Sequence, residues 1–168
     1  MKTTTLLLQK QNFKFSAAHF LIFDQHRAER LHGHNYQVKV DITVPPGSEV
    51  MNQGYFIDFN EFKKIIKTRL DEWDEMVLLP KDQPEMNFKE NGPSLEVRFR
   101  DRFYVFPKNE VLLLPITNTS VEQFSRLLAA DFLRLFKKFG VLKVRLSVEE
   151  TRGQGATTVV GDDQHALS

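Results

Sequence analysis

The clearest period along the chain is two. From 34 to 44, Tyr36, Val38, Val40, Ile42 and Val44 alternate with Gln37, Lys39, Asp41 and Thr43. That pattern predicts a half-buried antiparallel strand. Residues 4–19 read as a second strand, with Phe13, Phe15 and Ala17 on one face and Lys14 and Ser16 on the other. "PPGSEVMNQG" (45–54) is turn chemistry. The period then lengthens. In "DFNEFKKIIKTRLDEW", Phe62, Ile65, Ile66 and Leu70 fall at helical spacing behind a start near Asp58. Residues 80–115 return to β character with aromatic enrichment, as in "LEVRFRDRFYVFP", and read as an inserted hairpin. "TSVEQFSRLLAADFLRLFKKFG" predicts a second helix, with Thr119 as N-cap, Glu122 completing a capping box and Gly140 as the stop. In the last strand, "LKVRLSVEET", Val144, Leu146 and Val148 share a face. The order β-β-α-(β insertion)-α-β predicts an α+β domain on an antiparallel sheet.

Composition narrows the class. The 168 residues, 41% hydrophobic and 27% charged, suit a single domain over 1–168 with a real core. A formal net charge of +1 gives no global pull toward nucleic acid or an anionic membrane. No apolar run approaches the roughly 18 to 20 residues of a membrane helix. "MKTTTLLLQKQNF" is too short in apolar residues for a signal-peptide core. With no cysteine, disulfides, thiolate metal sites and a cysteine nucleophile are excluded, which is compatible with a cytoplasmic protein.

The histidines change the picture. Side chains on a strand repeat every two residues, so His32 and His34 share the apolar face of Tyr36 and Val38, and His19 shares that of Phe15 and Ala17. If the two strands pair as a hairpin, three imidazoles meet at one end of a buried face. Three nitrogen ligands with an open fourth position describe a catalytic zinc site. The plainer alternative is three separate polar residues near a loop. Glu150 continues the face of Val144, Leu146 and Val148. It either bonds a ligand there or lies in water past the strand's end, and spacing does not choose. His26 and His165 read as surface residues.

These residues carry a resemblance. "FSAAH" (15–19), "LHGHNYQVKV" (31–40), "GYFIDFNEFKK" (54–64), "LPITNTSVEQFS" (114–125) and "VRLSVEET" (144–151) resemble, in order, segments of the 6-pyruvoyl-tetrahydropterin synthase / 6-carboxy-tetrahydropterin synthase family. The resemblance implies the tunnelling fold: a four-stranded antiparallel sheet with two helices, associating into β-barrel trimers and hexamers, here with an insertion at about 81–112. It implies zinc on His19, His32 and His34. It implies a pterin substrate anchored by Glu150, with Thr119 and Ser120 completing the pocket, and typically 7,8-dihydroneopterin triphosphate.

Two departures sharpen it. Most members place a catalytic cysteine four residues before the first histidine of H-G-H, where this chain has Ala28, and an Asp-His pair after the first helix, where "WDEMVLL" keeps Asp74 and puts Glu75 for the histidine. A cysteine-less branch carries E-x-x-H-G-H, matched by "ERLHGH" (29–34). That branch resembles a lyase that shortens the side chain to a 6-hydroxymethyl-dihydropterin, with Glu29 as base and Asp74 as an accessory. A glutamate is ionised near neutral pH without a helper, whereas a cysteine needs one. Glu29 as a solvated loop charge, 6-carboxy- or 6-pyruvoyl-tetrahydropterin formation by an altered base, and an inactive pterin-binding protein are the competing readings.

Overall fold

The computed structural model describes residues 3–50 and 53–161. The long strand β3 (His32–Val44) organises the sheet. One edge of β3 pairs antiparallel first with β2 (Lys14–His19) and then with β1 (Thr4–Leu8). The single strand expected over 4–19 is therefore two strands laid end to end. The polar segment Gln9–Asn12 loops out between them, and the ladder is rejoined where Val38 N donates to Phe13 O at 2.7 Å.

The other edge of β3 pairs with β9 (Lys143–Thr151), which pairs with β10 (Gln154–Gly161). Strands β2, β3, β9 and β10 make the expected four-stranded antiparallel core. Beyond it, β4 (Met76–Pro80) joins β2 and β8 (Val111–Leu114) joins β4, both in parallel, so the whole sheet has seven strands. The parallel pairings and β10 went unread in the sequence. Strand β10 packs closely at its start: a Cβ on Gly155 would lie 2.3 Å from Val148 O, beside the bulge between Gln154 and Gly155.

Helices α1 (Phe59–Asp71) and α2 (Val121–Phe136) cover one face. Asp58 caps α1 by accepting from Asn60 N, and Phe62, Ile66 and Leu70 are buried from it. The cap of α2 is Ser120, not Thr119: the Ser120 side chain accepts from Gln123 N. Gln123 turns its own amide to Thr117, so the expected box of Thr119 and Glu122 is displaced by one residue. Gly140 ends the helical run in the left-handed region at φ 79°. The core between sheet and helices holds Phe15, Tyr36, Trp73, Phe124 and Phe132, all buried. Fully burying each large side chain contributes about 1.5–3 kcal/mol.

The insertion is larger than a hairpin. Strands β5 (Met86–Asn91), β6 (Ser94–Phe99) and β7 (Arg102–Pro107) form a separate antiparallel meander. Its apolar face makes a second core of Phe20, Leu79, Met86, Leu95, Val97 and Phe99, with Ile22, Ala28 and Leu31 packed against it. The last three lie on the 20–31 loop between β2 and β3. Among the described residues, no helix is long and apolar enough to cross a membrane.

Candidate active site

The β2–β3 register sets His19 directly opposite His32 and Ala17 opposite His34. All three imidazoles therefore stand on one face, and one nitrogen from each lies within 4.8 Å of the others. His19 is buried against Tyr36 and Phe124, while His32 and His34 are half-exposed.

Backbone carbonyls orient two of the rings. His19 Nδ1 donates to Thr119 O at 2.8 Å and His32 Nδ1 to Arg30 O at 2.7 Å. Each bond leaves the Nε2 lone pair unprotonated and aimed inward, the outer-shell arrangement that metal-binding histidines use. His32 Nε2 and His34 Nε2 are 2.8 Å apart, and His19 Nε2 is buried without a hydrogen-bond partner. Glu150 Oε1 lies 3.1 Å from His19 Nε2 and 3.4 Å from His34 Nε2. Because His19 Nε2 carries no proton in this tautomer, the short contact sets a lone pair against a carboxylate oxygen. Converging lone pairs of this kind are favourable around a cation, so the donor set fits a metal.

Glu150 thus sits at the cluster rather than in open solvent, and Tyr36 Oη donates to its Oε1 at 3.2 Å. Burial, and then Glu150, push the Tyr36 phenol well above its ordinary value, so it remains a donor. Tyr36 went unnoticed as a site residue because it fits the strand's apolar pattern. The signal available was chemical: a buried tyrosine hydroxyl needs a partner. Burial also lowers the His19 pKa below 6.5, outweighing the opposing pull of Thr119 O and Glu150, which keeps the ring neutral and ready for a metal.

Glu29 approaches from the loop. Its Oε2 accepts from Leu21 N at 3.0 Å and lies 3.7 Å from His32 Nε2, while its own N–H donates to Leu21 O at 2.8 Å. Thr119 and Ser120 flank the site, but Thr119 Oγ1 is committed to Phe20 O at 2.8 Å, and Ser120 to the helix cap. Asn118, missed in the sequence, grips Ile22 from both sides: its Oδ1 accepts from Ile22 N at 3.0 Å and its Nδ2 donates to Ile22 O at 2.7 Å.

Asp74 is not brought to the histidines of its own chain. Its Oδ1 accepts from Ser16 N at 2.7 Å, on the strand that carries His19. Glu75 follows at φ 60°, and its N–H donates to Ser16 O at 2.7 Å. It lines a groove with Ser16, Ala18, Gly33 and Asn35. His26 is exposed and outside the cluster, and His165 lies outside the described residues.

The sequence pattern of the family described as 6-pyruvoyl tetrahydropterin synthase matches residues 8–159. The chain belongs to this family. A Methanocaldococcus jannaschii member, provisionally named a 6-carboxy-5,6,7,8-tetrahydropterin synthase, is 30% identical over 146 residues, 85% of this chain and 87% of that one. The crystal structure of 6-pyruvoyl tetrahydropterin synthase from Plasmodium vivax superposes with a TM-score of 0.85 at 26% identity, covering 96% of this chain and all of the other. Two further solved forms of the Plasmodium vivax synthase replace a glutamate described as a catalytic residue, by cysteine and by alanine. The tunnelling fold expected for the family is the fold observed.

The histidine electrostatics can be read directly. In metal-free protein, an NMR titration of the imidazoles is expected to show His19 staying neutral until the pH falls below 6.5. A His19 midpoint above 6.5 would contradict the burial argument.

Proposed function

We propose that this protein is a zinc-dependent lyase acting on 7,8-dihydroneopterin triphosphate or a related dihydropterin, cleaving its side chain to a 6-hydroxymethyl-dihydropterin. The observation that carries this reading is the Glu29 carboxylate 3.7 Å from His32 Nε2, in a chain with no cysteine to serve as base. The catalytic glutamate named for the Plasmodium vivax synthase supports the same choice of chemistry. His19, His32 and His34 would hold the zinc, three nitrogen donors with an open position. Zinc in that place supplies Lewis acidity toward the substrate's side-chain oxygens.

The residues divide the remaining work. Glu29 removes the proton from the hydroxyl on the second side-chain carbon. The bond between the first and second carbons then breaks, and its electron pair passes to the first carbon, conjugated with the pterin ring. That carbon takes up a proton to give the hydroxymethyl product, and the rest of the side chain leaves as an aldehyde. Glu150 would receive the pterin's planar donor edge, with Tyr36 fixing one carboxylate oxygen. Thr119 acts through His19, holding it in the tautomer that exposes Nε2, and Ser120 shapes the adjoining helix terminus. Asp74, held by Ser16 N away from its own chain's histidines, would serve as an accessory that orients substrate or water only at the site of a neighbouring copy in the assembly.

The provisional name of the Methanocaldococcus jannaschii member favours a second reading, in which the same base forms a 6-carboxy-tetrahydropterin. Identifying the products from 7,8-dihydroneopterin triphosphate separates the two. No turnover at all would leave a pterin-binding protein.

Glu29→Gln, nearly isosteric, is expected to lose about 10²- to 10⁴-fold in turnover, the usual worth of a general base. Elemental analysis should find zinc retained in Glu29→Gln and lost in His34→Ala. An active wild type matched in rate by Glu29→Gln would remove Glu29 from the mechanism.

Glu150→Gln is expected to weaken pterin binding by about 1.5–3 kcal/mol, the worth of a hydrogen bond to a charged group. Calorimetry against a dihydropterin measures this. Zinc loss in the same variant, with pterin affinity intact, would reassign Glu150 as a metal ligand.

The assembly in this reading is a homo-oligomer, a trimer or hexamer. The sheet order ends at β10 and β8, and an unpaired strand edge invites pairing with another copy. Light scattering at micromolar concentration should return three or six chains, and a monomer would count against it.

A further inference from the structure

The inserted meander closes over the 20–31 loop, and two of its arginines, Arg100 and Arg102, end on that loop's backbone. Arg102, the first residue of β7, donates from Nη1 to Glu29 O and from Nη2 to Ala28 O, the latter at 3.1 Å. Its guanidinium lies over the rings of Phe20 and Phe99, 5.5 and 5.8 Å from their centroids. Arg100, two residues earlier, donates to Asp24 O at 2.7 Å and forks onto Glu85, both oxygens at 2.8 Å.

Arg100 holds a left-handed backbone, φ 55°, in the two-residue turn between β6 and β7. Asn or Gly adopts that conformation at little cost, whereas arginine does not. The conformation persists here with the Arg100 side chain fastened to Glu85 and to the loop. Apolar packing of Ile22, Ala28 and Leu31 on the meander adds to the clasp.

We propose that the insertion is a clamp for the catalytic loop, and that Arg102 is the positioning residue that sets where Glu29 stands against the histidines. This rests on Glu29 being the base. Two N–H groups of one planar guanidinium, one on Ala28 O and one on Glu29 O, fix the two peptide units that flank the Glu29 Cα and with them the height and tilt at which its side chain leaves the loop. A lysine, a single rotating point donor, cannot fix both. Since a displacement of about 1 Å can cost on the order of 10²-fold in rate, the clamp acts on turnover rather than on affinity.

The test uses Arg102→Lys, with Arg98→Gln as a control, since Arg98 is exposed and stacks on Phe103. With 7,8-dihydroneopterin triphosphate, Arg102→Lys is expected to lower kcat by about 10- to 100-fold with little change in KM or zinc content. Arg98→Gln should behave as wild type. In the Glu29→Gln background, Arg102→Lys should cost nothing further, because its effect passes through Glu29. With Glu29→Gln impaired, an unchanged kcat in Arg102→Lys, or a loss that simply adds to that of Glu29→Gln, overturns Arg102 as the positioning residue. Amide hydrogen exchange over 24–29 decides the clamp independently of turnover. Faster exchange in Arg102→Lys than in Arg98→Gln supports it, and equal exchange overturns it. If Glu29→Gln is as active as wild type while exchange still rises, the clamp stands and the assignment of the base falls.

Discussion

The convergence of the three imidazoles follows from one register. His19 faces His32 and Ala17 faces His34 because β2 and β3 pair in one alignment only. A shift by a single residue would turn the strand's apolar set away from the helices and carry the histidines with it. Phe13, Phe15, Tyr36, Val38 and Val40, all buried, resist that shift together. The hydrophobic pattern that stabilises the sheet is thus also what brings the imidazoles into convergence, and no separate device is required.

What the register cannot supply is the direction of each ring. Here the second layer matters: carbonyls of Thr119 and Arg30, from a helix terminus and a loop, choose which nitrogen faces inward. The same layer explains Thr119. Buried completely, it spends its hydroxyl on Phe20 O and its carbonyl on His19, so it meets the cluster only through the histidine it holds.

Legibility in the sequence followed the range of the interactions. The β3 alternation, the α1 face with its start near Asp58, the Gly140 stop and the convergence of the three histidines all stand as read, since each depends on short spacing or on one local pairing. The displaced α2 cap was a choice between adjacent candidates, Thr119 and Ser120, decided by Thr119's tertiary commitment to Phe20. The parallel additions of β4 and β8 had no signature of their own, because short apolar runs such as "VLLL" carry no period. Asn118 and Arg102 were invisible for a different reason: their partners are backbone atoms some 70 to 100 positions away, as the bonds Asn118–Ile22 and Arg102–Glu29 show.

That separation also bears on how the molecule comes into being. The β2–β3 pairing joins neighbours in the chain and closes a short loop at small entropic cost. The contacts that complete the candidate site, from Thr119 to His19 and from Tyr36 to Glu150, span 100 and 114 residues. A chain emerging from the ribosome can therefore form the histidine-bearing hairpin early, yet it has no complete site until β9 has been synthesised and docked. Competence arrives with the final strands, as a property of the finished topology.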